Sequence, residues 1–167
     1  NHADTPNPFL DMYWNSTLNQ PAANNPWFNE VAPTAESWFY DWNHESGATA
    51  AFMKRALSYW VDEFHVDGYR LDFSKGMTQT SGSGNGYDQS RIDILNNYAD
   101  HLWSDDPGIY MILEHWTDSS ELQALVEDGF MVWANTSHEY AEAHMGYGSN
   151  FNWASYQVQG MVAPRVV

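Results

Sequence analysis

Three short strand-like runs alternate with stretches of helical periodicity, and that order limits the fold more than any other feature of the chain. The runs cover residues 65–72, 109–113 and 130–133. Before the first, Phe52, Ala56, Tyr59, Trp60 and Phe64 repeat at helical spacing, with Ser46 as N-cap, and predict a helix over 46–64. Ile92, Leu95, Ala99 and Leu102 predict a second helix over 89–103, which Pro107-Gly108 prevents from continuing. Asp118 and Glu121 have the spacing of a capping box for a third helix, running to Asp128 and closed by Gly129. Helix, strand, helix, strand, helix, strand predicts parallel strands joined by crossover helices. Apolar strands this short suit a sheet covered on both faces.

The first two runs each end in a carboxylate, Asp72 and Glu114. Arg70 and Asp72 are two residues apart, so on a strand both point to one side, and the arginine keeps the aspartate ionised. Glu114 ends an apolar run, where a carboxyl can keep its proton. An ionised Asp and a less polar Glu are the pair that retaining glycosidases need, with carboxyls roughly 5 Å apart. Adjacent strands about 4.8 Å apart supply that separation. Taken alone, Arg70 and Asp72 are better accounted for as a structural ion pair within a sheet. Both a (β/α)8 barrel and a doubly wound sheet place functional groups at strand C-termini; the dinucleotide and P-loop motifs are absent.

Charge excludes some functions. With 22 acidic against 6 basic residues and a net charge of −16, the chain is unsuited to nucleic acid or to anionic membrane surfaces. No apolar run is long enough to span a membrane. A neutral sugar polymer is compatible. Nine Trp and ten Tyr fit a sugar-lined cleft, since a pyranose face packs on an aromatic ring; an aromatic-rich core fits them too. Without cysteine there is neither a disulfide framework nor thiol chemistry. Compartment and oligomeric state are left open. The chain starts at Asn1 rather than Met and reads as a segment of a longer one.

Residues 3–43 hold five of the seven prolines, many asparagines and no apolar periodicity. They read as a loop-rich excursion too long for a simple connection, and so as a functional insertion.

Taken with their spacing, these segments resemble the α-amylase superfamily, glycoside hydrolase family thirteen. The family's fourth strand carries Gly-aromatic-Arg-x-Asp, often with Lys three residues on; here the segment is Gly68-Tyr69-Arg70-Leu71-Asp72 with Lys75. The fifth strand ends in Glu, here Glu114, 42 residues after Asp72. The third strand ends in Asn-His, here Asn1-His2, and a loop-rich domain follows it in the family. The resemblance implies part of a (β/α)8 TIM-type barrel: residues 1–2 ending the third strand, 3–43 the loop-rich inserted domain, and 44–167 the central βα units of an incomplete barrel.

It also implies roles. Asp72 is the nucleophile and Glu114 the acid and base. Arg70 orients Asp72, while His2, Lys75 and Trp116 bind the sugar. Taken alone, Lys75 also reads as a solvated lysine and Trp116 as a core residue. A calcium ion is implied, with Asn1 and Asn43 as oxygen ligands; both also suit turn capping. Two departures stand out. Gly76 occupies a position where the family often has His, and the chain ends at Val167, before the seventh strand that carries a third carboxylate. The expected parent is a retaining hydrolase of α-1,4-glucans, this segment being inactive by itself. The alternatives are a transferase or branching enzyme, and a non-catalytic glucan-binding segment.

Overall fold

A computed structural model describes residues 2–35, 38–133 and 137–149. Strand β1 (His2–Ala3) is followed by helix α1 (Pro8–Asp11), strands β2 (Trp14–Asn15) and β3 (Gln20–Pro21), and strand β4 (Tyr40–Asp41). β1 pairs antiparallel with β4, and β2 with β3. This part is largely irregular, as its composition implies, but it has its own core. Leu10, Phe28 and Trp42 are buried, with Phe9, Trp27 and Phe52 packed against them. Asparagine supplies the order that periodicity does not. Asn25 Oδ1 accepts from the Trp27 and Phe28 N–H groups at 2.9 and 3.0 Å, and its Nδ2 donates to Phe9 O at 3.0 Å.

Helix α2 (Gly47–Phe64) starts where Ser46 Oγ accepts from the Ala48 N–H, as expected. It ends at His65, which takes the left-handed conformation (φ 53°) and donates its N–H to Val61 O. His65 therefore belongs to the turn, and strand β5 is only Gly68–Leu71, shorter than the strand-like run suggested. A 3-10 turn at Ser74–Met77 leads to helix α3 (Gln89–Trp103), strand β6 (Tyr110–Leu113), helix α4 (Ser119–Asp128) and strand β7 (Met131–Val132). Helix α5 (Ser137–His144) follows. No described helix is long and apolar enough to cross a membrane.

β5, β6 and β7 form a parallel sheet in that order, with α3 and α4 as the crossover helices. The protein is thus mixed α/β. α3 packs against both α2 and α4. Ile92, Leu95, Tyr98, Ala99 and Leu102 of α3 meet Met111 and Leu113 of β6. Coverage on both sheet faces was expected; among the described residues only one face is covered. Met111 and Leu113 are buried, while Tyr110 is exposed and Ile112 half-buried on the other face. Arg70 pairs in register with Ile112 and shares that open face.

Two further expectations change. The side of α2 that packs on the core is Ala50, Met53, Leu57 and Val61, while Tyr59, Trp60 and Phe64 lie on its exposed side. The helix has two apolar stripes, and the sheet selects the slimmer one, which allows a closer approach. The capping box is also not formed. Asp118 caps α4 by accepting from the Ser120 N–H at 2.8 Å, but Glu121 turns inward and is fully buried.

Gly68 has a steric reason. A Cβ there would sit 2.5 Å from Tyr110 O and 2.6 Å from Tyr110 Cβ on the paired strand. Gly68→Ala should therefore cost about 3 kcal/mol by forcing β5 from β6, seen as a lower urea midpoint. An unchanged midpoint would mean that Tyr110 yields without cost.

Candidate active site

The register of three strands builds the site. Leu71 pairs with Leu113, and Leu113 with Val132. Asp72, Glu114 and Trp133 are the next residues, so all three emerge at neighbouring strand ends. The two-residue period of a strand places Asp72 on the side of Arg70, and Glu114 on the side of Ile112. That is the open face of the sheet.

Arg70 joins the two carboxylates. Its Nη1 donates to Asp72 Oδ1 and its Nη2 to Glu114 Oε2. The guanidinium also lies over the Trp133 ring, 4.5 Å from the ring centre. The arginine is thus fixed in plane and in position. Its hydrogen bond holds the Asp72 carboxyl below the usual carboxylate range, against the opposing effect of partial burial. The Asp72 side chain is 61% exposed and that of Glu114 14%. The first is open to an incoming molecule, and the second sits back in the wall.

Glu114 departs from the sequence expectation of apolar surroundings. Besides Arg70, it accepts from the Phe73 N–H at 3.1 Å. Phe73 is in the left-handed region (φ 46°), unfavourable for an aromatic residue. That conformation ends β5 sharply and aims its N–H at Glu114. Ser74 N–H then donates to Glu114 O at 2.9 Å.

The remaining predicted residues are distributed around this cluster. His2, held by its β1 pairing with Asp41, lies within electrostatic range of Asp72. Burial pushes the His2 pKa down, and the Asp72 charge works the other way. Lys75 is buried in the 3-10 turn, with Nζ 2.6 Å from Asn85 Oδ1 and 5.1 Å from the Phe73 ring centre. Trp116 is half-buried, and its indole N–H is buried without a partner among the described residues.

Asn43 Oδ1 accepts from the Glu45 and Ser46 N–H groups, both at 3.1 Å, which occupies both acceptor positions of a carbonyl oxygen. Asn1 lies outside the described residues. Among the described residues no group of three or more His, Asp or Glu is disposed to hold a metal ion. No step is assigned to a calcium ion.

Trp133 was missed at the sequence level. Its signal was there, because it follows the third strand-like run just as Asp72 and Glu114 follow the first two. Trp38 and Phe39 were missed as well. Both are exposed, Phe39 in the left-handed region (φ 58°), and both rings lie about His2, at 6.2 and 5.9 Å. Trp38 also meets Phe73 edge to face at 4.9 Å. Their placement depends on β1–β4 pairing across almost forty residues.

The fold and the cluster define an α/β protein whose parallel strands end in paired, arginine-bridged carboxylates. No family model matches the chain. It is 31% identical over 122 residues to the 1,4-alpha-glucan branching enzyme GlgB of Cutibacterium acnes, an alignment covering 62% of this chain and 19% of that protein. It is 26% identical over 101 residues to GlgB of Bacillus caldolyticus, covering 55% and 15%. The chain spans less than a fifth of the length of these curated relatives. Its fold resembles that of Amy13B from Eubacterium rectale, with a TM-score of 0.50 and 22% identity over 64% of this chain and 21% of that one. These similarities, in sequence to two branching enzymes and in fold to Amy13B, support the resemblance to the α-amylase superfamily, glycoside hydrolase family thirteen.

Proposed function

We propose that this chain is the central part of the catalytic domain of a retaining α-glucan-active enzyme, with Asp72 as nucleophile and Glu114 as acid and base. The observation that carries the proposal is the single guanidinium bridging Asp72 and Glu114 at adjacent parallel strand ends. In this reading residues 1–2 end the third strand of a (β/α)8 barrel, 3–43 form the inserted domain, and 44–167 supply central βα units. The open face of the sheet, carrying Arg70 and Ile112, is then the barrel interior, which further strands cover.

The chemistry follows from the two environments. Asp72, ionised beside Arg70, attacks the anomeric carbon as the glycosidic bond breaks, while Glu114 gives its proton to the leaving oxygen. Glu114 then takes a proton from the acceptor as the ester to Asp72 is broken. Trp38 and Phe39, exposed beside His2, form an apolar rim on which the C–H face of a pyranose packs, with the buried Phe73 backing Trp38.

Water as acceptor gives hydrolysis of α-1,4-glucans; a sugar hydroxyl gives branching. The sequence similarity to two branching enzymes favours the second outcome as a specific alternative. Incubating the full-length protein with amylose separates them. Hydrolysis raises reducing ends without new α-1,6 linkages, whereas branching creates α-1,6 linkages at nearly constant reducing ends. Binding of amylose with neither product would leave only a glucan-binding segment.

A further inference from the structure

Beneath the carboxylates lies a fully buried polar cluster that the proposed chemistry does not use. Its centre is Glu121, whose two oxygens accept four hydrogen bonds. Oε1 takes Arg91 Nε at 2.9 Å and faces His115 Nε2 at 2.6 Å; Oε2 takes Arg91 Nη2 at 2.8 Å and the Asp88 N–H at 2.8 Å. Arg91 spends its other donors on backbone carbonyls: Nη1 on Lys75 O and Gly84 O, Nη2 on Gly86 O. All five guanidinium donors and all four carboxylate acceptor positions are filled. Such an arrangement holds its members in one geometry.

His115 links this cluster to the site. It directly follows Glu114, and its ring is fully buried. A carboxylate only accepts, so Nε2 carries the proton towards Glu121. Burial keeps the imidazole neutral, opposed by the Glu121 charge. Nδ1 is then a bare acceptor, 2.9 Å from Ser74 Oγ. Ser74 lies two residues after Asp72, and its N–H holds Glu114 O at 2.9 Å. The neighbouring Phe73 N–H holds Glu114 Oε2. The turn after Asp72 and the strand end at Glu114 are thus pinned together through Ser74 and the His115 ring.

We propose that His115 is a positioning residue: anchored by Glu121 and Arg91, it fixes Ser74 and so sets Asp72 and Glu114 relative to each other. The inference rests on the reading of those carboxylates as the reacting pair. A residue of merely structural value would alter the folded fraction, whereas a positioning residue alters turnover by the folded protein.

The test uses the full-length protein with amylose as substrate and kinetics normalised to the folded fraction. His115→Asn places an amide oxygen close to the position of Nδ1 and keeps the Ser74 contact. His115→Gln reaches Glu121 but removes the Nδ1 acceptor, so that Ser74 Oγ keeps only Glu114 O, 3.1 Å away, and loses its tie to the buried cluster. We expect His115→Gln to lower kcat on the order of 100-fold with KM changed less than about threefold, in keeping with small displacements costing this much. His115→Asn should restore kcat to within about fivefold of the parent. Equal kcat in the two folded variants overturns the proposal, as does a fall in which KM carries most of the change. If His115→Gln does not fold, His115→Asn compared with Ser74→Ala decides, with Ser74→Ala expected to show the kcat loss and parental kcat there overturning the proposal. Asp72→Asn run in parallel keeps the two ideas apart: if it retains turnover, the carboxylate assignment fails regardless of His115.

Discussion

Asp72→Asn in the full-length protein should lower kcat by at least about 10³-fold, equivalent to about 4 kcal/mol of barrier. The amide is nearly the same size but cannot form a glycosyl ester, so the double displacement stops at its first step. The fold should not notice the change. Among the described residues the Asp72 side chain is largely exposed, and its ion pair to Arg70 is open to solvent, where such pairs contribute little. Unfolding midpoints should therefore coincide, and binding of a malto-oligosaccharide should persist. The measurement is steady-state turnover beside a urea titration of both proteins. A kcat within about tenfold of the parent would remove Asp72 from the nucleophile's role.

Arg91→Met should produce the largest loss of stability, about 3–5 kcal/mol, because it strands Glu121 as a buried charge. Glu121 loses two hydrogen bonds, and three backbone carbonyls lose theirs. The sign of the pH effect follows from linkage. Burial opposes it, yet hydrogen bonds from His115 and Arg91 hold the Glu121 carboxyl below its ordinary range. Its stabilising effect is therefore present above the unfolded pKa and is lost as pH falls through the folded one. Without Arg91 the carboxyl is pushed up instead, so the variant's deficit should shrink on acidification as Glu121 takes a proton. Urea midpoints at neutral and acidic pH check this. A deficit below about 1 kcal/mol at neutral pH would mean that the cluster relaxes or admits water.

The sequence by itself determined what depends on near neighbours. Ser46 and Asp118 cap helices because a short oxygen beside a free N–H acts within two or three residues, and Gly129 ends α4 at φ 114° because a left-handed residue costs glycine nothing. The 89–103 helix was readable for the same reason, its apolar period being complete within the segment. The Arg70–Asp72 contact was also legible, since a strand's two-residue period fixes it locally. Tertiary structure decided everything that needs two distant segments. The partner shared by Asp72 and Glu114 follows from strand register, and Trp133 joins Arg70 only because β7 lies beside β6. Which stripe of α2 faces inward depends on the sheet beneath it. Glu121 had the spacing of a local cap, but Arg91, His115 and the Asp88 N–H together offer four donors in a space closed to water. That outcompetes a single exposed backbone N–H, and no local pattern records it.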